Sequence, residues 1–389
     1  MLEDYRELIH LCRLCGNCRQ AGTNYLPICP AGERFGLDEY YSRGRAVIAQ
    51  HLLDGSLSWS QSLADVIFRC TMCAGCVEQC PVSYKDHILK VFEALKEECV
   101  ERGYISPSVK KFFRNVYEYG NPWRELRDRR GEWAEGTGVK HYQNGDEFLY
   151  YVGCIGSYDV RGSKIAQALG QVLLSSGLSF GILGSEETCD GNEVNILGEK
   201  GLFELLATEN IKKFKELNVK NIVTLSPHAY HVMKNEYPRF GGSFEVKHYT
   251  QLLRDSLRDQ SIDVSRGLKA RVTYHDSCLL GRYNGEYDAP REVLQMIPGI
   301  ELIEMQRNRE NSFCCGGGQG NFYLDLLHGG ENSPSRIRIR EAHETGAEIV
   351  AVACPACICM LDDAVKTEGL DEQLIVRDIS EIVKEATAQ

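Results

Sequence analysis

Residues 348–360 read EIVAVACPACICM and residues 221–233 read NIVTLSPHAYHVM. Each opens on an apolar, β-branched run, stops at Cys-Pro or Ser-Pro, and continues with helical spacing. That order predicts a buried strand, a tight turn and a helix. Working outward, FLYYVGC at 148–154 parallels RVTYHDSC at 271–278, and Cys189 parallels Cys315. The pairs Cys154/Cys278, Cys189/Cys315 and Ser226/Cys354 stand 124, 126 and 128 residues apart. Three landmarks that keep nearly one period identify an internal duplication, with halves at 146–262 and 263–389. FEVKHYTQLLRDSL and LIVRDISEIVKEA close the two halves alike. Strand–helix alternation predicts a parallel α/β sheet in each half, with ligands at the carboxyl ends of the strands.

Upstream, residues 1–105 carry two cysteine runs: Cys12-x2-Cys15-x2-Cys18-x10-Cys29-Pro30 and Cys70-x2-Cys73-x2-Cys76-x3-Cys80-Pro81. Thiolates two residues apart wrap one corner of an iron–sulfur cube while backbone amides face the sulfides. In two-cluster ferredoxins the cysteine before proline ligates the other cluster. On that rule Cys12, Cys15, Cys18 and Cys80 hold one [4Fe–4S] cluster, and Cys70, Cys73, Cys76 and Cys29 hold a second. Zinc is the alternative, although zinc sites favour paired C-x2-C units over triplets ending in Cys-Pro. Helical spacing over Leu2–Leu11, Arg43–Leu53 and Tyr84–Val100 predicts that this block is α-helical. Residues 106–145 contain no cysteine and read as a linker with two short helices.

Composition narrows the classes. The chain has 389 residues, 43% of them hydrophobic and 25% charged, which excludes disorder over most of its length. A net charge of −11 argues against nucleic acid as the main partner. The longest charge-free stretch near the C-terminus, Ile349–Leu361, is too short for a transmembrane segment. MLEDYRELIH is acidic and resembles no secretory or transit leader, so a cytoplasmic location is expected. In a reducing compartment, 17 cysteines imply metal or redox chemistry rather than staples.

The helical block resembles the α-helical ferredoxin domains of succinate dehydrogenase iron–sulfur subunits and of the C-type heterodisulfide reductase polypeptide. In the second half, Cys278, Cys314-Cys315-Gly316 and Cys354-Pro355-Ala356-Cys357 are similar to the full pattern of the cysteine-rich CCG domain. The whole order resembles the D-type heterodisulfide reductase polypeptide, a ferredoxin domain fused to two CCG repeats. Iron–sulfur subunits of glycerol-3-phosphate, lactate and glycolate dehydrogenases are similar, as are proteins that accompany electron-transfer flavoproteins or class II benzoyl-CoA reductases. The resemblance implies an α plus α/β fold and a noncubane [4Fe–4S] unit on Cys278, Cys314, Cys315, Cys354 and Cys357, with Gly316 and Gly317 letting the backbone crowd the sulfides. A cubane or zinc on four of the five is the alternative. It also implies an electron-transfer subunit of a multisubunit oxidoreductase working with a flavoprotein. A catalytic thiol–disulfide reductase, or the iron–sulfur partner of a dehydrogenase, is the competing expectation.

The first half departs from that pattern, with Thr188, Ser226 and Ala229 where the second half has Cys314, Cys354 and Cys357. Cys154 and Cys189 are too few for a four-iron cluster unless His228 or His231 helps, and they read as a structural vestige. His275 reads equally as a cluster-adjacent catalytic candidate and as a satisfied strand-end histidine. GGGQG at 316–320 lacks nucleotide-loop spacing, so cluster packing accounts for it. The basic stretch from Lys110 to Arg130, interleaved with acids, reads as a solvated or docking helix. Cys99 reads as core and Cys359 as lining the cluster pocket. Residues 41–44, Tyr-Ser-Arg-Gly, resemble a family sequence near the first cluster, with no task that spacing assigns.

Overall fold

The computed structural model describes residues 1–22 and 24–388. The N-terminal block is helical, built on α1 (Ser42–Leu53), α2 (Gln61–Phe68) and α3 (Ile88–Glu101), with one two-stranded ribbon, Gln20–Ala21 against Leu26–Pro27. The expected N-terminal helix is broken. Leu2–Tyr5 is a 3-10 turn and Arg6–Ile9 a single helical turn. The chain must leave the helix there, because Leu14 and Gly16 in the cysteine loop take positive φ. The helix expected from Tyr84 starts instead at Ile88. A 3-10 turn over Ser83–Asp86 first buries Tyr84 to 1% exposure.

Two four-stranded sheets follow. The first holds β1 (Phe148–Tyr151), β2 (Phe180–Gly181), β3 (Asn221–Thr224) and β4 (Glu245–His248) in the order β2-β1-β3-β4. The second holds β5 (Ala270–Tyr274), β6 (Ile300–Leu302), β7 (Ile349–Val352) and β8 (Ile375–Asp378) in the equivalent order, β6-β5-β7-β8. Every pairing in both sheets is parallel, with Tyr151 opposite Thr224 and Tyr274 opposite Ala351. The order reverses between the two central strands of each sheet, and at such a switch point a crevice opens beyond the strand ends. Cys154 and Ser226 follow β1 and β3; Cys278 and Cys354 follow β5 and β7.

The first sheet lies between two cores, and the period-two alternation of β1 shows why. Leu149 and Tyr151 join the core shared with Phe92, Leu95 and Val116 of the N-terminal part, whereas Phe148 and Tyr150 join the core that holds Val350 and Ile382 of the second repeat. A strand buried on both faces needs apolar side chains throughout, which FLYY supplies.

Residues 106–145 do more than connect. Ser106 caps helix α4 (Pro107–Tyr119), with Pro107 in its first turn and left-handed Gly120 at its end. Farther on, Tyr142 and Lys140 exchange backbone hydrogen bonds with Ile182, extending the first sheet past β2. Arg130, at the end of the stretch expected to be solvated, is instead 2% exposed. No helix among the described residues is long and apolar enough to cross a membrane.

Candidate metal centres

None of the seventeen cysteines is joined in a disulfide. Eight of them surround two cavities in the helical block. Cys12, Cys15, Cys18 and Cys80 line one, together with Ser42 and Arg43. Cys29, Cys70, Cys73 and Cys76 line the other, together with Arg45 and Phe92. Each cavity therefore takes three thiols from one run and the Cys-Pro thiol from the other. Both runs bend in the same way: Leu14 and Gly16 have positive φ, as do Met72 and Ala74 at the matching positions. Cys29 caps the helix Pro30–Phe35 and accepts the Gly32 amide at 3.4 Å. Gly32 itself packs where a Cβ would strike the Tyr41 ring, and Tyr41 in turn donates to Glu33.

The donor set fits iron. Burial raises the Cys18 thiol to about 11 and Cys29 to about 12. Burial, then the neighbouring thiols, holds Cys76 well above the usual range. Four thiols crowded into one cavity cannot all ionise without cations among them.

The second repeat gathers its quintet by contact. Cys314 touches Cys278 and Cys315, Cys315 lies 3.3 Å from Cys357, and Cys357 touches Cys354. Cys354 occupies the N-cap position of helix α5 (Pro355–Thr367) without a side-chain cap bond, which leaves its sulfur free for the site, and Cys357 sits in the first turn. The Gly316 and Gly317 amides point at the sulfurs of Cys314 and Cys315, each at 3.4 Å. Gly316 has φ +86°, and a Cβ on Gly317 would come within 2.8 Å of Met360. Both positions therefore require glycine, and the loop closes on the thiols.

Three charged or polar side chains that sequence reasoning missed complete this site. Arg282 is half-buried, with its buried Nη2 unpartnered, and it lies in the field of the Cys73, Cys278 and Cys314 thiols. An orphaned cationic N–H among thiols suits an anionic cluster. Glu193 binds His228 and the Gly320 amide, and His228 reaches Cys354. The degenerate repeat thus braces the complete one. Arg338 Nε donates to His275 Nδ1 at 3.0 Å. Since arginine only donates, the proton of His275 sits on Nε2. A ring nitrogen of His275 lies within 4.8 Å of the sulfurs of Cys315 and Cys357, and His275 hydrogen-bonds Cys315. His275 is therefore a donor to sulfur rather than a metal ligand.

The other expected residues fall elsewhere. Cys99 is core at 0% exposure. Cys359 does not line the cluster pocket; its thiol donates to Asp159 Oδ1 at 3.4 Å. His231 packs on Tyr283, and among the described residues neither it nor His228 hydrogen-bonds Cys154 or Cys189. Those two thiols touch each other, with Arg130 against Cys154.

Fold and site together define a two-cluster ferredoxin domain fused to two cysteine-rich repeats. The model of the 4Fe-4S dicluster domain matches residues 7–84, and that of the cysteine-rich domain matches 148–234 and 272–362. The chain belongs to the family of iron–sulfur oxidoreductase proteins typified by the D-type heterodisulfide reductase polypeptide. It is 31% identical to that polypeptide of the Methanosarcina barkeri dihydromethanophenazine:CoB–CoM heterodisulfide reductase, over 84% of this chain and 79% of that one. It is 37% identical to the probable iron-sulfur-binding oxidoreductase FadF of Bacillus subtilis, over 82% of this chain and 46% of the relative. With the EtfAB:quinone oxidoreductase of Syntrophomonas wolfei the identity is 34%, over 86% and 48%. The chain thus spans about half the length of these last two. A crystal structure of a hypothetical Helicobacter pylori protein shares the fold, with a TM-score of 0.53, 11% identity, and coverage of 100% of this chain and 72% of that one.

Proposed function

We propose that this chain relays single electrons between a flavoprotein partner and an iron–sulfur centre on Cys278, Cys314, Cys315, Cys354 and Cys357. When bound, [4Fe–4S] groups supply one-electron redox chemistry. The chain's residues hold those groups at fixed places. Cys12, Cys15, Cys18 and Cys80 would hold the first, and Cys29, Cys70, Cys73 and Cys76 the second. The quintet would hold the third in noncubane form.

The observation that carries this reading is the contact of Cys73 with Cys314. One thiol belongs to the second cavity and the other to the quintet, so the two sites meet sulfur to sulfur. At the far end Cys15 is exposed, which opens the first cavity to a partner. The flavoprotein rests on likeness: the Syntrophomonas wolfei relative is named for exchange between EtfAB and quinone.

Anaerobically purified protein should contain about twelve irons. On reduction, the quintet's paramagnetic signal should follow those of the helical block, and Cys76→Ser should abolish its rapid reduction. Equal reduction of the quintet with the helical block emptied would refute the relay.

A further inference from the structure

Cys154 and Cys189 lie outside the centres above, each 5% exposed and in contact with the other. Arg130 reaches them from the segment between domains. Its Nη1 and Nη2 stand 3.6 and 3.5 Å from Cys154 Sγ. Nη2 and Nε also bind Glu187 Oε1 at 2.8 and 3.1 Å, and Nη2 lies 3.2 Å from the Thr188 carbonyl. Glu187 is satisfied as well by the Val152 and Gly153 amides, at 3.0 and 2.9 Å. Nη1 gives one N–H to the Gly120 carbonyl at 3.4 Å, so a single N–H is left to face the Cys154 sulfur. The Gly191 amide points at Cys189 Sγ from 3.4 Å.

Two readings compete with a redox pair. A metal needs cation-free space beside the thiols, and Arg130 fills that space beside Cys154. A passive remnant needs no donor beside its sulfur, yet Nη1 and Nη2 lie within 3.6 Å of Cys154 Sγ although Glu187 already pairs the charge. Donors converging on a sulfur instead favour its thiolate, the reactive form of cysteine. Cys154 and Cys189 both line one narrow cavity between the repeats, whose opposite wall is Gly317, Pro355 and Ala356.

We propose that Cys154 and Cys189 form a reversible thiol–disulfide pair, a two-electron redox site separate from the iron centres and poised by the cell's small-molecule thiols. In its oxidation the Cys154 thiolate attacks a small disulfide. The S–S bond of that molecule breaks, a mixed disulfide forms on Cys154, and one thiolate leaves. Cys189 gives its proton to that thiolate and attacks the Cys154 sulfur. The second small thiolate then departs and the Cys154–Cys189 bond is made. Two protein thiols have lost two electrons, and one small disulfide has become a thiol and a thiolate. Excess small dithiol runs the same steps backward.

This inference stands without the relay, and its test reads neither electron transfer nor turnover. Full-length, iron-loaded protein is equilibrated with graded ratios of reduced and oxidised dithiothreitol, quenched in acid, alkylated under denaturing conditions and mapped by mass spectrometry. Alkylation of Cys154 and Cys189 should fall together by at least about tenfold. A peptide crosslinked through both should appear while iron content stays constant. In Cys189→Ser, glutathione disulfide should leave a glutathione adduct on Cys154. The proposal is overturned if the wild-type pair stays alkylatable at every ratio, if either cysteine crosslinks elsewhere, or if metal remains bound to the two. Should Cys189→Ser not fold, the wild-type map alone decides.

Discussion

Arg282 Nε donates to the carbonyl of Cys73 at 2.6 Å, while its Nη1 donates to the carbonyl of Ser312 at 2.6 Å. One guanidinium thus ties the second cysteine run to the loop before Cys314, and Tyr283 adds a bond to the Met72 carbonyl at 2.5 Å. Arg282→Met keeps most of the stem but leaves both carbonyls without this donor. The expected loss is about 2–4 kcal/mol, since unpaired buried groups cost about 1–3 kcal/mol each. Urea unfolding under anaerobic conditions measures it. An unchanged midpoint would show that the two parts are held together by other contacts.

Asp378 supplies a pH dependence. Its Oδ1 accepts from Tyr249, Ser380 Oγ and the Ser380 amide, whereas Oδ2 is buried with no partner. Burial pushes the carboxyl from 3.8 up to about 7, against the hydrogen bonds that lower it. Between those values the folded chain binds the proton more tightly than the unfolded chain. Stability is therefore full below about pH 4, falls as pH rises to about 7, and is flat above. Asp378→Asn keeps a helix cap and removes the titration. The variant should lose less stability than wild type between pH 5 and pH 8, by up to about 3 kcal/mol. Urea midpoints at the two pH values provide the comparison, and parallel losses would exclude Asp378 as the source.

His275 should raise the potential of the quintet's centre, because a hydrogen bond to sulfur stabilises the more negative, reduced state. His275→Phe keeps a ring of similar size and removes the donor. The midpoint should fall by about 20–60 mV, the one-electron equivalent of a bond worth about 0.5–1.5 kcal/mol. Redox titration followed by paramagnetic resonance reads this shift. A purely structural histidine would leave the potential of the surviving protein unchanged.

Much of this arrangement was legible in sequence because it is local. The strand, turn and helix around Cys354 lie within nineteen consecutive residues, 349–367, and the same order around Ser226 exposes the duplication. Cysteine triplets announce a shared cavity for the same reason. Residues that act across long separations gave no such signal. Arg282 meets Cys73 over 209 positions, and Gly320 meets Glu193 over 127. Arg130 was hidden by its surroundings, since RDRRGEW has the composition of a solvated face. Only the fold shows that one of its three arginines turns inward, to Glu187 and Cys154. The expectation for Cys359 failed through helix geometry. Two residues after Cys357 the side chain has rotated by about 200° and faces the first repeat.

The division of thiols between the two cavities makes the last prediction. Cys29 belongs to the first run in sequence, but it lines the cavity of Cys70, Cys73 and Cys76. Cys80 belongs to the second run, but it lines the cavity of Cys12, Cys15 and Cys18. Cys29→Ser should therefore perturb the centre that adjoins Cys314 and leave the exposed centre at Cys15 intact. Cys80→Ser should do the reverse. Serine is a poorer ligand than thiolate for iron, so each variant should lose up to about four irons or carry an altered cluster spectrum. The pairing is read by combining each change with a second one: Cys29→Ser with Cys76→Ser should cost no more iron than the worse single variant, while Cys29→Ser with Cys18→Ser should cost both clusters. If the losses followed the linear runs instead, with Cys29 grouping with Cys18, the crossed assignment would be wrong and each run would close on itself.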